Sequence, residues 1–390
     1  MLAKNTNLQS IPLAPKALVL GAGLIGPSIA GFLAEKGHVT ITDINYEALI
    51  RAQKLFNRMG VQPDIFEYSG KEADTRRLIH EHDLTVNALP GKFGHAMLRT
   101  IIDEQRAAVD ISFGEEDAFV LDDLAKQKGI PVAVDCGVAP GMSHMLIGYA
   151  DSLLNGQSSS ARIDVGGLPQ EPKAPHFYQA PFAPESVIDE YLRSAGYMKD
   201  GTVLWADPLA DIQVIDVPDI GSFEAFRSDG LRTLLKTMSH IRNMTEWTLR
   251  NPGHLALMKK YRNEERFAPE ALPETIQELK QAWALGNDPD RTVMRVHVAN
   301  DHGNQVTFTL EDQKDMVTNM HSMARTTGLT AALVARRILD GNLTTAGILA
   351  PETLGRDHDF MRHMFNGMHE QGIEYRGTRT YNGMTVPLEI

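Results

Sequence analysis

Gly21, Gly23 and Gly26 sit in the turn GAGLIG, directly after the apolar residues 17–20, and Asp43 closes the stretch HVTITD that follows. Glycines at this spacing can cradle a phosphate. Gly21 permits a tight turn, Gly23 lets the backbone approach a pyrophosphate, and Gly26 lets a helix pack closely on a strand. Leu24 and Ile25 complete the turn at the start of that helix, whose N-terminal amides carry partial positive charge toward a bound anion. A carboxylate at Asp43 can accept hydrogen bonds from the hydroxyls of an adenosine ribose, which favours NAD. Asn45 and Arg51 lie just beyond it, and Arg51 leaves NADP as the less favoured cofactor.

The elements that must position these groups alternate. Apolar residues 17–20 predict a buried strand, residues 24–35 a helix ended by Gly37, and residues 38–42 a second strand. Helical patterns at 46–59, 73–80, 94–104 and 116–128 then separate strand patterns at 61–68, 84–89, 107–111 and 130–134. Such alternation predicts βαβ units, hence a parallel sheet with ligands beyond its C-terminal strand ends. Those ends carry Gly21, Asp43, Ser69, Asn87, Ala88, Leu89, Pro90, Asp110 and Asp135, all candidates for one cleft. Asn87 to Pro90 lie beside the cofactor by strand order, where their backbone can meet the nicotinamide ribose. After Asp135 the turn CGVAPGMSHML leads into segments of β character, with a hairpin turn at Asp301-His302-Gly303-Asn304. Helices are expected at 229–236, 254–261 and 273–284. A long apolar helix at 319–339 is expected to pack back onto the first domain.

The fold class expected is α/β: an N-terminal Rossmann domain with a doubly wound parallel sheet, and an inserted α+β substrate and dimerisation domain with a mixed, largely antiparallel sheet. The boundaries read as 1–140, with about 318–390 packing back, and 141–317. A chain of 390 residues is long for one core, in keeping with two domains. A net charge of −12 argues against nucleic acid or an anionic membrane as partner. No apolar run is long enough to span a bilayer, and MLAKNTNLQSIPLAPK lacks the apolar core of a signal peptide, so the cytoplasm is the expected location. The one cysteine, Cys136, excludes an internal disulfide and any cysteine-based zinc site. No HExxH lies on an expected helix, and no metal is expected. A Tyr-x-x-x-Lys pair of the short-chain dehydrogenase type is also absent.

The stretches LVLGAGLIG, VNALPGKFGH, AVDISF, VDCGVAPGMSHML, VGGLP, EAFRSDGLRTLL, TLRNPGH and MARTTGLTAALVARRI, in this order, resemble the saccharopine dehydrogenase-like family. GVAPGM, VGGLP, the Gly-His pair after TLRNP and the late MAR helix most resemble its lysine 6-dehydrogenase branch. The resemblance implies amine–imine redox chemistry with a nicotinamide cofactor, NAD here. For the lysine branch it implies oxidative deamination of L-lysine at the ε-amine, giving 2-aminoadipate 6-semialdehyde and ammonia. Saccharopine or carboxynorspermidine dehydrogenase is the alternative enzyme, and a non-catalytic NAD-binding sensor the alternative of another class. The resemblance further implies a small amino-acid or polyamine-like substrate and a homo-oligomer, dimer or higher.

This chemistry needs an acid–base group and anchors for substrate charges. Asp110 and Asp135, at neighbouring strand ends, can hold an ammonium, act as base, or cap the turns after them. His144 and His254 titrate near neutral pH when unperturbed and are the candidate proton carriers, packing histidines being the alternative. Arg232 and Arg250 can grip a carboxylate bidentately or serve only in salt bridges. Arg232 departs from the lysine-branch pattern and leaves room for a substrate with another carboxylate. Glu224 is an acid of unknown register, Arg325 is expected to pin the late helix to the Rossmann domain, and Cys136 reads as packing.

Overall fold

The computed structural model describes residues 14–390, so most of the stretch MLAKNTNLQSIPLAPK lies outside the described residues. Strands β1 (Lys16–Leu20), β2 (His38–Asp43), β3 (Asp64–Glu67), β4 (Leu84–Asn87), β5 (Ala107–Asp110), β6 (Pro131–Ala133) and β15 (Gly347–Leu349) form one sheet in the order β15-β6-β5-β4-β1-β2-β3. Every pair in it is parallel. Ala17 and Val19 of β1 enter one core and Leu18 and Leu20 another, so the strand is covered on both faces and reads as a continuous apolar run. The chain moves outward from β1 to β3 and then restarts at β4 on the other side of β1. The crevice above the C-terminal ends of β1 and β4 is therefore the topological switch point.

A second sheet of ten strands contains β7 (Ser158–Pro169), β8 (Ala195–Lys199), β9 (Thr202–Ala206), β10 (Ile212–Val217), β11 (Gly221–Arg227), β12 (Asn243–Arg250), β13 (Asp290–Asn300), β14 (Gln305–Gln313), β16 (Tyr375–Tyr381) and β17 (Met384–Leu388). It is mixed. β12 runs parallel to β7 at its centre, while β13, β14, β16 and β17 add antiparallel. Of the tail expected to return to the first sheet, β15 does so, whereas β16 and β17 extend the second.

Helix Ser322–Leu339 joins the two layers. It packs on helix Gly26–Ala34, β4 and β5 on one side and on β13 and β14 on the other. Ser28 Oγ donates to Ala324 O at 2.7 Å, and a Cβ at Gly328 would lie 2.1 Å from that hydroxyl, so the two helices meet at small residues. The same apolar core runs from Val19 and Val86 through Leu329 and Val334 to Val296 and Phe308, across both sheets. Arg325 pairs with Asp312 of β14, with Nε at 3.1 Å, so it pins this helix to the second sheet rather than to the first.

Three expected elements differ most from expectation. The third strand begins at Asp64 because Val61 N–H donates back to Phe56 O, closing the preceding helix over a left-handed Gly60. The helix expected at 116–128 splits into a 3₁₀ turn, Ala118–Leu121, and helix Asp122–Lys128. The helix expected at 229–236 is the single turn Leu234–Thr237.

Candidate active site

A cavity of about 770 Å³ opens at the switch point and runs to the second sheet. Its first end is built by the glycine turn. Gly21 has φ +108, and a Cβ there would lie 2.7 Å from Ala88 O; at Gly26 a Cβ would lie 1.9 Å from Gly21 O. Any side chain at either position collides with backbone. Around Gly23 nothing lies within 4 Å of the Cβ position, and the residue lines the cavity beside Leu24 and Ile25. The turn is thus tight where it must pack and open where a pyrophosphate would lie, at the N-terminus of helix Gly26–Ala34. Asp43 lines the cavity too. Its Oδ2 accepts from Ala22 N–H at 2.7 Å and its Oδ1 from Asn45 N–H at 2.8 Å, which locks the carboxylate to the turn. Ala88, Leu89 and Pro90 line the next part of the wall. These residues fit a nicotinamide dinucleotide.

Asn87 and Asp110 stand behind that wall. Asn87 Nδ2 donates to Asp110 Oδ1 at 2.7 Å and to Gly94 O at 3.0 Å. Asp110 also accepts from Ser112 Oγ at 2.8 Å, and it is Ser112 that reaches the cavity. Burial pushes the Asp110 carboxyl up to about 7; the nearby charge of Asp135 adds to this and the Ser112 hydroxyl opposes it. Asp135 lines the cavity, with φ +52, and forms an ion pair with Arg232 Nε at 2.8 Å. Arg232 Nη1 donates to Gly114 O at 2.7 Å, and the guanidinium lies 5.0 Å from the Phe113 ring centroid. Expected as a carboxylate grip, Arg232 is instead engaged by Asp135 and the loop that follows β5.

The far end belongs to the second sheet. Tyr178, Glu190, Ser228, Glu246, Thr248 and Arg250 line it. Arg250 donates through Nε to Tyr191 Oη at 2.8 Å, through Nη1 to Leu249 O at 3.0 Å and through Nη2 to Glu190 at 2.7 Å. Its plane rests over the Tyr178 ring, 4.5 Å from the centroid. A guanidinium has five N–H groups, so donors remain for a ligand.

The candidate proton carriers both lie outside the cavity wall. His254 is fully buried; its Nδ1 meets His176 O at 2.7 Å, which requires a proton there, and its Nε2 meets Tyr191 Oη at 2.9 Å. Burial, aided by the charge of Arg250, pulls it down to about 3, so it is a neutral strut at physiological pH. His144 is buried between Gly230 O, 2.8 Å from Nε2, and Glu352, 3.4 Å from Nδ1. Burial alone would lower its pKa; the hydrogen bond and charge of Glu352 outweigh that and raise it, while Glu352 is lowered in turn. The two form a structural ion pair. Glu224 accepts from Leu255 N–H at 3.4 Å at a helix start, outside the wall.

Sequence reasoning missed Glu190, in helix Pro184–Leu192, which gave no strong periodic signal, and Glu246. The signal for Glu246 was available: in β12, Glu246, Thr248 and Arg250 alternate with Thr245, Trp247 and Leu249, which puts a polar row on one face. Cys136 is buried, its thiol pushed well up by burial and by the neighbouring aspartates, as expected of a packing residue. Among the described residues no cluster of three or more His, Cys, Asp or Glu could hold a metal ion, and no helix is long and apolar enough to cross a membrane.

Two family models match end to end: the saccharopine dehydrogenase NADP binding domain over residues 17–133 and the saccharopine dehydrogenase C-terminal domain over residues 137–373. The chain belongs to the saccharopine dehydrogenase family, an oxidoreductase family. It is 23% identical over 196 residues to the mitochondrial alpha-aminoadipic semialdehyde synthase of Mus musculus, an alignment covering 48% of this chain and 21% of that protein. It is 22% identical over 201 residues to the NADP(+), L-glutamate-forming saccharopine dehydrogenase of Schizosaccharomyces pombe, covering 50% of this chain and 44% of the other. The chain thus spans less than half the length of these curated relatives. Among solved structures, apo saccharopine dehydrogenase (L-Glu forming) from Saccharomyces cerevisiae superposes with a TM-score of 0.74 at 18% identity, covering 94% of this chain and 100% of the other. Homospermidine synthase from Legionella pneumophila, solved with NAD, gives 0.65 at 11% identity, covering 95% and 92%. Both share the parallel-sheet domain followed by a mixed-sheet domain.

Proposed function

We propose that this family member is an NAD-dependent amine dehydrogenase whose leading substrate is the ε-amine of L-lysine, oxidised with water to 2-aminoadipate 6-semialdehyde and ammonia. The supporting observation is the single cavity that joins the glycine turn to a pocket carrying two acids, Glu190 and Glu246, and one arginine, Arg250. A bound nicotinamide supplies the hydride acceptor. The chain's own residues do the rest. Arg250, held flat by Tyr178 and Glu190, offers its remaining N–H groups to a carboxylate. Met323, Thr327 and Val138 also line the cavity and give it apolar wall. NAD is favoured because Asp43, fixed by two backbone amides, sets a negative charge where the extra phosphate of NADP would lie.

A second reading is favoured by the relatives' names and by the room in the cavity: a secondary-amine dehydrogenase of the saccharopine or carboxynorspermidine type. Purified protein should reduce NAD in the presence of L-lysine, followed by absorbance of the reduced cofactor at neutral and mildly alkaline pH. Turnover with saccharopine or carboxynorspermidine, and none with lysine, selects the second reading. Preference for NADP would overturn the role given to Asp43.

A further inference from the structure

Glu246 sits in the cavity wall with almost nothing to bind. It is 5% exposed; Oε1 has one weak partner, Ser228 Oγ at 3.4 Å, and Oε2 has no hydrogen-bond partner among the described residues. Thr248 beside it is occupied, donating to Ser228 Oγ at 2.7 Å. The loop over the carboxylate can lie there only because residue 230 is glycine, since a Cβ would stand 1.9 Å from Oε1. That loop is held from behind by His144, through Gly230 O. Position is therefore fixed, and among the described residues no cation contacts the carboxylate: Arg250 pairs with Glu190, Arg232 with Asp135, and His144 with Glu352. Glu246 thus lines the cavity with a buried carboxyl whose second oxygen has no partner among the described residues, an arrangement that is costly unless a partner arrives.

We infer that Glu246 receives an ammonium group of the substrate, so that the cavity selects a molecule presenting a free amine at this point and rejects one presenting a carboxylate there. This rests on the amine-dehydrogenase reading and deepens it by naming the group that meets a free amine of the substrate. The charged groups facing Glu246 are His144 from helix Met142–Leu153, Glu190 from helix Pro184–Leu192 and Asp229 from the covering loop. Burial pushes the Glu246 carboxyl up to about 8; the charge of His144 opposes this, and Glu190 and Asp229 add to it. At pH 7 the carboxyl is therefore mostly protonated, and an arriving ammonium expels the proton.

The experiment is calorimetric titration of L-lysine into protein saturated with reduced dinucleotide, which blocks turnover, in two pH 7 buffers of different ionisation enthalpy. Binding is expected with release of most of one proton. Glu246→Gln, which keeps the shape, should weaken lysine by about tenfold or more and abolish the proton release, with reduced-dinucleotide affinity unchanged. Glu246→Asp should retain the proton release at reduced affinity, which shows that a folded site is being measured. L-norleucine, which lacks the ε-amine, separates the ends. If it is weak and indifferent to Glu246→Gln, the ε-ammonium sits at Glu246; if it loses affinity in the variant, the α-ammonium does. Equal lysine affinity and equal proton release in wild type and Glu246→Gln would overturn the inference alone. Failure of the wild type to bind either lysine or 1,5-diaminopentane would overturn the reading of lysine as substrate, and the inference with it.

Discussion

At the dinucleotide end of the cavity one continuous stretch, Lys16 to Asp43, supplies a glycine turn, the start of a helix, and one carboxylate held by the amides of Ala22 and Asn45, and Ala88 to Pro90 continue the wall. At the far end the walls are side chains gathered from Tyr178, Glu190, Ser228, Glu246 and Arg250, on different elements of a mixed sheet and its helices. The first end resists change through sterics, because no side chain fits at Gly21 or Gly26. The second depends on charge, because Arg250, Glu190 and Glu246 are buried groups whose ionisation hangs on each other. A backbone site recognises what all its ligands share, a pyrophosphate. A side-chain site can be retuned by single substitutions.

The contrast can be broken most sharply at the turn. Gly26→Ala puts a Cβ 1.9 Å from Gly21 O and should cost about 3 kcal/mol or more in stability together with dinucleotide binding. Gly23→Ala meets nothing within 4 Å and should melt like wild type while binding dinucleotide about tenfold more weakly. Thermal melts paired with fluorescence titration of the reduced cofactor read both, and equal melting of the two variants would contradict the packing argument.

Next in size is Arg250→Met. It strands the buried Glu190 carboxyl and should destabilise by about 3 kcal/mol, abolish amine oxidation, and leave dinucleotide affinity within about threefold of wild type. Adding Glu190→Met should restore stability but not turnover. Loss of dinucleotide binding in either variant would show that the two ends are not independent.

Asp110 offers a pH measurement. The folded protein keeps its proton up to about 7, whereas the unfolded chain loses it near the ordinary value of 3.8. Its contribution to stability is therefore complete below about pH 4 and declines as pH rises toward 7. Asp110→Asn should flatten that decline relative to wild type in denaturant titrations from pH 4 to 7, by up to about 1.4 kcal/mol per pH unit. Parallel curves for the two proteins would refute the buried, proton-holding carboxyl.

The smallest effect on chemistry is expected from His254→Gln. With the imidazole neutral down to about pH 3 and outside the cavity wall, the pH profile of kcat/KM should keep its shape. Stability should fall by about 1 kcal/mol as the bond to Tyr191 Oη weakens. A profile that loses its lower limb would return His254 to the role of proton carrier.

Histidines, arginines and aspartates were legible in the sequence as candidate chemistry, but not their commitments. Arg232 and Asp135 are separated by most of the second sheet's first half, yet they pair at 2.8 Å; His144 finds Glu352 from a region with no readable signal. Glu224 and Glu246 are both acids on strands. They differ because one ends at a helix N-terminus and the other faces the cavity, a matter of register and of which helices cover the sheet. Similarly, the late helix was readable from its apolar pattern, whereas the pairing of Arg325 with Asp312 depended on where β14 came to lie.

The sequence by itself determined the parallel sheet, the dinucleotide turn and Asp43, because those depend on local conformation and on a short strand-turn-helix-strand unit whose geometry follows from residue type and spacing. Only the tertiary structure decided which buried charges neutralise each other and which, like Glu246, is left with an oxygen that has no partner among the described residues. Ion pairing in a low-dielectric interior acts over a few ångströms of space, and neighbours at that range come from elements far apart along the chain.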